Sequence, residues 1–377
     1  MNKKIGILFI TMTSVGLMCA TKPDIEDEIA ETNVETAINI IKPDSPGIFI
    51  HGTKYVKKVD TVLHFERFSD SLLSLEKSVL KFSPVKAKTT AGIIISFRTN
   101  SPQIKAFFRV VEGENRGSEF GIMQNGELTG SIKFSKNKGP LLSFDIIPEF
   151  EGEDITYEIV LPHWANTEFV GLEIDGNSTI DKDYIPEKKK VYVAYGNSIT
   201  HGTGQSSAFE TYPFLLSRNF NWELFSLAVG GAKTSQVVAE MIRDEFDQID
   251  YMTVLIGYND YNGNGITAEE YKNRISNFLT TIREKHNATS VFFISPTYTT
   301  QFTSSSSGIS IDEFRTKAVE VVERMQNNGD KNLHLFRGEE LTSEVNLRDV
   351  VHFNEDGAKL FADSLIKYIL PIVETVP

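Results

Sequence analysis

The stretch VYVAYGNSIT, residues Val191–Thr200, is an apolar β-strand pattern that stops abruptly at Gly196, Asn197 and Ser198. A short apolar run that ends in turn residues is typical of a strand buried on both faces of a parallel sheet. Four further runs follow, with amphipathic helical spacing between them: Leu224–Val229, Met252–Ile256, Val291–Ile294 and Leu333–Phe336. This alternation predicts a flavodoxin-like three-layer α/β/α domain with a five-stranded parallel sheet over residues 186–377.

Local signals mark the start of three helices in this region. Thr267 with Glu270, and Ser310 with Glu313, have the spacing of a capping box. In a capping box a hydroxyl and a carboxylate accept free amides at the start of the helix. A third helix is predicted to open at Asn354. These signals support the assignment of the segments between the strands as helices.

Residues 48–185 carry a different pattern, in which short β-rich runs are separated by turn residues such as Asn125-Gly126. The runs are Val59–Phe65, Gly92–Arg98, Ala106–Val111, Ser131–Phe134, Leu141–Ile147, Thr156–Leu161 and Phe169–Ile174. Several short strands with turn signals between them predict an antiparallel β-sandwich, of jelly-roll-like type, ahead of the α/β domain.

The first 19 residues have the layout of an export signal. Lys3 and Lys4 precede the apolar run Ile5–Met18, and Cys19 follows it directly. This pattern resembles a bacterial lipoprotein signal, in which the cysteine is lipidated and attaches the protein to a membrane. Simple secretion and an uncleaved or cytosolic form remain alternatives. The polar residues 20–47 are predicted to be a tether before the sandwich.

Composition excludes several classes of protein. Lys and Arg total 38 against 51 Asp and Glu, so the formal net charge is -13 and a diffuse nucleic-acid-binding face is not expected. Because Cys19 is the only cysteine, neither an intrachain disulfide nor a multi-cysteine zinc site can form. We expect a globular protein that needs no metal or other cofactor.

The residues that follow the predicted strands are the candidates for a site, because open α/β sheets bind ligands beyond the carboxyl ends of their strands. Ser198 follows the first strand, Gly231 the second and Asn259 the third. Asp349 and His352 come after the fifth strand, just before the last helix. Each of these pieces alone is more often an ordinary turn or helix cap, and their joint order is what points to a site.

These blocks resemble those of the SGNH, or GDSL-type, hydrolases, over roughly half of the chain from Val191 onward. The resemblance implies that Ser198 is the nucleophile, His352 the general base and Asp349 its orienting partner. It also implies an oxyanion hole formed by the Ser198 amide, Gly231 and Asn259. One position departs from the pattern, because Asn197 stands where the family commonly has an aspartate. That aspartate is not assigned to the triad, so the implied mechanism is unaffected.

Elementary chemistry supports the same assignment. A serine hydroxyl is a weak nucleophile until an imidazole takes its proton, and the imidazole needs an acceptor on its other nitrogen to hold its tautomer. Asp349, three residues before His352, can reach that nitrogen within one turn. Glycine at 231 allows a close approach of backbone N–H to a substrate, and Asn259 offers a neutral donor for the developing oxyanion.

Other possible sites fit less well. Asp260 begins a pattern like the first half of a calcium loop, but its twelfth position is Tyr271, where a bidentate glutamate is needed. His201 is three residues after Ser198, yet it has no acidic neighbour in sequence, and we expect it to line the pocket or lie at the surface. No phosphate-binding or dinucleotide-binding glycine motif occurs.

A β-sandwich ahead of an SGNH-type domain is similar to the layout of carbohydrate esterases, which implies an acetylated polysaccharide or oligosaccharide as substrate. A short-chain lipase, a thioesterase-type acylhydrolase and a non-catalytic carbohydrate-binding lipoprotein remain alternatives. Trp164 is either a sugar-stacking residue or a core residue.

Overall fold

A computed structural model describes residues 37–116, 118–134, 141–149, 154–263 and 266–374. The predicted export signal, Cys19 and residues 20–36 of the predicted tether lie outside these ranges.

The residues before 176 form two antiparallel sheets that pack face to face. Their strands are β1 Ile38–Ile41, β2 Phe49–His51, β3 Tyr55–Val59, β4 Val62–Glu66, β5 Ile94–Thr99, β6 Ile104–Asn115, β7 Glu119–Gln124, β8 Glu127–Lys133, β9 Leu141–Ile146, β10 Ile155–Val160 and β11 Ala165–Asp175. One sheet has the order β3-β4-β11-β6-β9, with β1 also on β11, and the other has the order β2-β5-β10-β7-β8. Phe108 from the first sheet meets Phe120 from the second with ring centroids 4.7 Å apart. The predicted antiparallel sandwich is confirmed.

Three local predictions for the sandwich need correction. The run Val59–Phe65 is not one strand, because the chain reverses at Asp60, which has a φ of 54°, and Val59 pairs with Val62. Ile38–Ile41, within the predicted tether, forms β1 and pairs with β11. Strand β7 was not predicted, since its central Gly121 interrupts the apolar pattern.

Three short helices lie between β4 and β5. They are α1 Asp70–Leu73, α2 Lys77–Leu80 and α3 Pro84–Ala87. Each has four residues, which is about one turn and too short to produce a helical periodicity in the sequence. This helical segment, residues 70–87, becomes important for the cleft described below.

The rest of the chain forms a parallel sheet with helices between its strands. The strands are β12 Lys190–Gly196, β13 Trp222–Ala228, β14 Tyr251–Leu255, β15 Ser290–Ile294 and β16 Leu333–Phe336. The helices are α4 Ser198–His201, α5 Tyr212–Asn219, α6 Gln236–Glu245, α7 Tyr258–Asn262, α8 Ala268–Arg283, α9 Ile311–Asn327 and α10 Glu355–Val373, with short 3-10 helices at Ala208–Glu210, Gly338–Glu340 and Glu344–Asn346. The strand order is β13-β12-β14-β15-β16, and every pairing is parallel. The five-stranded α/β prediction is confirmed.

The predicted helix starts agree with the caps in the structure. Ser310 and Glu313 form a reciprocal capping box at the start of α9. The Thr267 hydroxyl accepts the Glu270 amide at the start of α8, and Asn354 caps α10. No helix of the described residues combines the length and the apolar character that crossing a bilayer requires.

A buried arginine connects the sandwich to the parallel sheet. Arg67, just after β4, is 3% exposed. Its guanidinium donates to the carbonyl oxygens of Ser226 and Ala228 on β13, at 2.8 and 2.6 Å, and to the Thr89 carbonyl at 2.7 Å. Burial lowers the pKa of Arg67 to about 9, which still leaves it charged at neutral pH. The described residues from Ala37 onward accordingly form one compact unit.

Candidate active site

The candidate residues lie where the strand order of the parallel sheet reverses. In the order β13-β12-β14, the next two strands in sequence after β12, which are β13 and β14, lie on opposite sides of it. Such a switch point opens a crevice at the carboxyl ends of the strands. Ser198 follows β12, Gly231 follows β13 and Asn259 lies in α7 just after β14.

Ser198, His352 and Asp349 form a continuous chain of hydrogen bonds. The His352 Nε2 lies 2.8 Å from the Ser198 Oγ. The His352 Nδ1 lies 2.9 Å from the Asp349 Oδ2. A carboxylate can only accept, so Nδ1 carries the proton and Nε2 is left free to accept the serine proton. This arrangement is chemically able to activate the hydroxyl of Ser198.

The loop that carries Asp349 and His352 is held by its own backbone. The Asp349 Oδ1 accepts the amides of Val351 and His352, at 3.0 and 2.9 Å. Partial burial of Asp349 opposes its ionisation, but these two amides and the His352 ring outweigh that effect and lower the pKa of the carboxyl. Asp349 therefore stays ionised well into acid and can stabilise a protonated His352.

The turn before Ser198 explains why asparagine is tolerated at position 197. The Asn197 side chain accepts the Ile199 amide at 3.0 Å and so caps the start of α4. Asn197 is 2% exposed, and this cap is the hydrogen bond that its side chain makes. At Gly196 a Cβ would overlap the Thr200 side chain, so only glycine permits this tight connection from β12.

Asn259 is held next to Gly231 by a hydrogen bond to Ala232, the residue that follows Gly231 in sequence. The Asn259 Nδ2 donates one hydrogen bond to the Ala232 carbonyl at 2.9 Å, which fixes the amide and leaves its second N–H available. Gly231 is exposed, has a φ of 85°, and a Cβ there would meet nothing within 4 Å. The loop thus presents free N–H groups on an open edge, as stabilisation of an oxyanion requires.

His201 is a buried structural residue rather than a base or a surface residue, which corrects the position expected for it. It is 1% exposed, and its Nδ1 accepts the Gly230 amide at 3.1 Å. Its Nε2 lies 2.8 Å from the His163 carbonyl and therefore donates to it. Burial first, and then the nearby positive charge of Arg67, lowers the pKa of His201 well below its ordinary value. His201 is thus a neutral brace for the loop that carries Gly231.

Trp164 is a core residue of the junction between the sandwich and the α/β part. It is 3% exposed, and its ring stacks on His201 with centroids 3.8 Å apart. The guanidinium of Arg116 lies 3.7 Å from the centroid of the same ring. A Cβ at Gly230 would overlap this indole, so the sandwich sets the path of the loop before Gly231. Sequence reasoning missed this function, because no local pattern links residues 164, 201 and 230.

Asp260 has no free oxygen to offer a calcium ion. Its Oδ2 accepts both the amide and the hydroxyl of Thr234, and its Oδ1 pairs with Arg274 at 3.2 Å. Burial raises the pKa of Asp260, and the Thr234 and Arg274 interactions oppose this rise. Within the described ranges, no group of three or more His, Cys, Asp or Glu side chains is arranged to hold a metal ion.

The fold is similar to several solved structures, all with low sequence identity. One is a salicylyl-acyltransferase, SsfX3, from a tetracycline biosynthetic pathway, with a TM-score of 0.76 and 21% identity over 90% of this chain and 98% of that chain. A protein from Bacteroides ovatus described as a GDSL-like lipase has a TM-score of 0.73 and 22% identity over 90% and 98%. A family two carbohydrate esterase from Clostridium thermocellum, in complex with cellohexaose, has a TM-score of 0.61 and 13% identity over 83% and 99%. These likenesses extend over the sandwich as well as the α/β part.

The sequence itself matches a known family over the α/β part. A search of curated proteins found no match. Residues 188–370, however, match the GDSL-like lipase/acylhydrolase family. This range contains the whole parallel sheet, from β12 to β16, and all five candidate residues. The α/β half of the chain therefore belongs to the GDSL-like lipase/acylhydrolase family, and the protein is a carboxylic ester hydrolase of the SGNH type.

Proposed function

We propose that this hydrolase removes O-acetyl groups from polysaccharides or oligosaccharides, with Ser198, His352 and Asp349 as its catalytic triad. The observation that carries the proposal is the unbroken hydrogen-bond chain from the Ser198 Oγ through the His352 ring to the Asp349 carboxylate. Its geometry lies within the hydrogen-bonding range expected for a nucleophile, a base and an orienting acid.

In the first half of the proposed reaction, the His352 Nε2 takes the proton of Ser198 while the Oγ attacks the ester carbonyl carbon. The negative charge that develops on the carbonyl oxygen is stabilised by the amides of Ser198 and Gly231 and by the free N–H of Asn259. His352 then gives its proton to the leaving sugar oxygen, the C–O bond breaks, and an acyl-serine remains.

In the second half, a water molecule attacks the acyl-serine. His352 takes one proton from the water and returns it to the Ser198 Oγ as acetate leaves. Asp349 stays ionised throughout and stabilises the positive charge on the His352 ring. The residues require no metal or cofactor for this cycle.

The proposal of a polysaccharide substrate is supported by the architecture. Proteins of the same two-part layout include the cellohexaose-bound esterase above and an acetyl xylan esterase from Butyrivibrio proteoclasticus, with a TM-score of 0.61 and 12% identity. The exposed edge at Gly231 also suits an acetyl group carried by a bulky chain, because a polymer cannot enter an enclosed cavity.

Ser198→Ala, assayed on 4-nitrophenyl acetate, tests the nucleophile. We expect kcat to fall on the order of 10⁴- to 10⁶-fold with unchanged circular dichroism, because no other group takes over the attack. Ser305→Ala, at an exposed serine of the loop before α9, is the matched control and should keep full activity. Full activity in folded Ser198→Ala would exclude the proposed nucleophile.

The substrate class is tested by comparing acetate release from acetylated xylan and acetylated pectin with hydrolysis of long-chain aryl esters. Faster turnover of the polysaccharides supports the proposal, and faster turnover of the long-chain esters favours a lipase- or thioesterase-type acylhydrolase instead. Absence of both activities, with glycan binding retained, favours a carbohydrate-binding protein.

We further propose export to the cell envelope, with attachment through a lipidated Cys19, on the pattern of residues 3–19 alone. Wild-type protein should fractionate with membranes, and Cys19→Ser should appear in the soluble fraction. Equal distribution of the two would exclude lipidation.

A further inference from the structure

A cleft of about 710 Å³ lies directly beside the candidate oxyanion loop. One wall is the helical segment 70–87 of the sandwich half, and the other comes from the loop and helix that follow β13 and β14. The Lys233 amide donates to the Lys81 carbonyl at 3.0 Å, so the two walls are directly connected. Gly231 is part of the lining, which means that the cleft opens onto the site proposed for the ester carbonyl.

The cleft is lined by five basic side chains and by no acidic one. The basic residues are Lys77, Lys81, Lys86, Lys233 and Arg274. This is the opposite of the chain as a whole, whose formal charge is -13. A concave surface with charges of one sign concentrates the electric field and attracts ligands of the other sign.

Most of this positive charge is not neutralised by the protein. Within the part of the chain that the structure describes, no carboxylate oxygen lies within 4.0 Å of the ammonium groups of Lys77, Lys81 or Lys86. The Lys233 ammonium donates to a backbone carbonyl, that of Gly263, at 3.0 Å, and its charge also acts on the buried Asp260 carboxylate. Arg274 pairs with Asp260 and Glu270. Four lysines therefore line the cleft, and Lys77, Lys81 and Lys86 do so without a carboxylate partner among the described residues.

Isolated surface lysines are usually just solvated, but these four differ in their arrangement. They come from two segments about 150 residues apart in sequence that the fold brings to one concavity. Lys81, Lys86 and Lys233 are half-buried, so part of each side chain packs against the protein. Like charges that line one concavity repel each other, and a bound anion relieves that repulsion.

We propose that the cleft binds anionic units of the glycan, so that the preferred substrate is an acetylated acidic polysaccharide. This inference rests on the proposed function, because it names the class of glycan that the esterase acts on. The anionic group is a carboxylate or a sulfate on a sugar near the acetylated one. Binding it beside Gly231 places the acetyl ester at Ser198 while the charged part of the chain lies along the lysines.

The test uses two matched pairs of substrates. The first pair is O-acetylated oligogalacturonate and the same oligomer after methyl esterification, which replaces each carboxylate with a neutral methyl ester, and the rate is read from the release of acetate. The second pair is an O-acetylated sulfated galactan and its desulfated form. For the wild-type enzyme at low salt, we expect kcat/KM to be about tenfold higher on the charged member of at least one pair. The difference should shrink strongly at about 0.5 M NaCl, where exposed charges are screened.

The residues are tested with Lys77→Gln/Lys81→Gln/Lys86→Gln. This variant should reduce the charged-to-neutral ratio of kcat/KM to near one. The ratio is internal to each sample, so a fraction of misfolded protein does not affect it. The matched control is Lys285→Gln/Lys331→Gln/Lys367→Gln, which removes three exposed lysines outside the cleft and should keep the wild-type ratio.

The possible failures are distinct from one another. Equal wild-type rates on the charged and neutral members of both pairs would overturn the inference while leaving the esterase and its glycan substrate intact. An unchanged ratio in the triple-lysine variant would likewise overturn the role of the cleft. Activity on 4-nitrophenyl acetate without acetate release from any oligomer would instead refute the proposed polysaccharide function. A higher rate on the charged member of the first pair indicates a carboxylate ligand, and a higher rate on the charged member of the second pair indicates a sulfate.

Discussion

Two histidines lie close to Ser198, and their surroundings are opposite. His352 is at the partly exposed rim of the candidate site, and His201 is buried at the junction between the sandwich and the α/β part. The His352 side chain is 23% exposed and is paired with the ionised Asp349. His201 is 1% exposed and meets only neutral partners, with the cation Arg67 nearby. A carboxylate stabilises a protonated imidazole, whereas burial near a cation prevents protonation. The two histidines therefore differ in their surroundings: His352 is hydrogen-bonded to an ionised carboxylate, whereas His201 is neutral and braces the loop at Gly230.

The largest expected effect is at the rim. His352→Ala should lower kcat on 4-nitrophenyl acetate on the order of 10⁴- to 10⁶-fold, because no remaining group removes the Ser198 proton. The midpoint of urea unfolding should change little, since His352 lies on a partly exposed loop. A variant that keeps more than about a tenth of the wild-type kcat would show that His352 is not the base.

The second expected effect is a loss of free energy of unfolding in acid, caused by the buried His163 at the junction between the sandwich and the α/β part. Burial, opposed only by hydrogen bonds, lowers the pKa of His163 from its ordinary 6.5 to about 4. The unfolded chain therefore takes up a proton at a higher pH than the folded one does, and the free energy of unfolding falls as the pH drops below 6.5. The loss should reach about 3 kcal/mol near pH 4 for this one residue.

Urea unfolding at several pH values measures this loss, and His163→Gln should make its pH dependence shallower. His64 provides a contrast, because the carboxylate of Glu66, 3.7 Å from its ring, and that of Glu168, hydrogen-bonded to it at 3.1 Å, outweigh burial and raise its pKa. His64 therefore stabilises the fold more as the pH falls through its raised pKa, and His64→Gln should make the acid loss steeper. Identical slopes for wild type and His163→Gln would contradict the assignment.

The smallest expected effect is on kcat, in two variants of His201 that each remove a different one of its two hydrogen bonds. His201→Gln keeps a donor near Nε2 but loses the acceptor for the Gly230 amide, so we expect kcat to fall about 10- to 100-fold as the loop that carries Gly231 loosens. His201→Asn keeps an acceptor near Nδ1 and should retain more of kcat, although both variants lose stability. If kcat followed stability alone in the two variants, the bracing of this loop would play no part in the reaction.

The parallel sheet and the contact between Asp349 and His352 were predictable because their signals are local. Each sheet strand is a continuous apolar run, and Asp349 and His352 are three residues apart. The turn at Asp60 was missed because the β-pattern of Val59–Phe65 continues across a reversal of only two residues. A left-handed aspartate in a tight turn leaves no stronger mark than this in a single sequence.

The features that depend on tertiary contacts were not predictable in the same way. The lysines of α2 and α3 meet Lys233 only because the fold brings one-turn helices, which have no periodicity, against the loop after β13. His201 likewise gains its function from Trp164 and Gly230, which are distant in sequence. The net charge of -13 argues against a diffuse basic face, and this local concentration of lysines is compatible with it.

The buried guanidinium of Arg67 limits how this enzyme can be divided. Residues 186–377 made as a separate polypeptide would leave the Ser226 and Ala228 carbonyls without their shared donor and the His201 ring without its indole cover. The hydrolase half is therefore not a transferable module, and grafting it onto another binding domain would require that domain to supply an equivalent cation and aromatic ring.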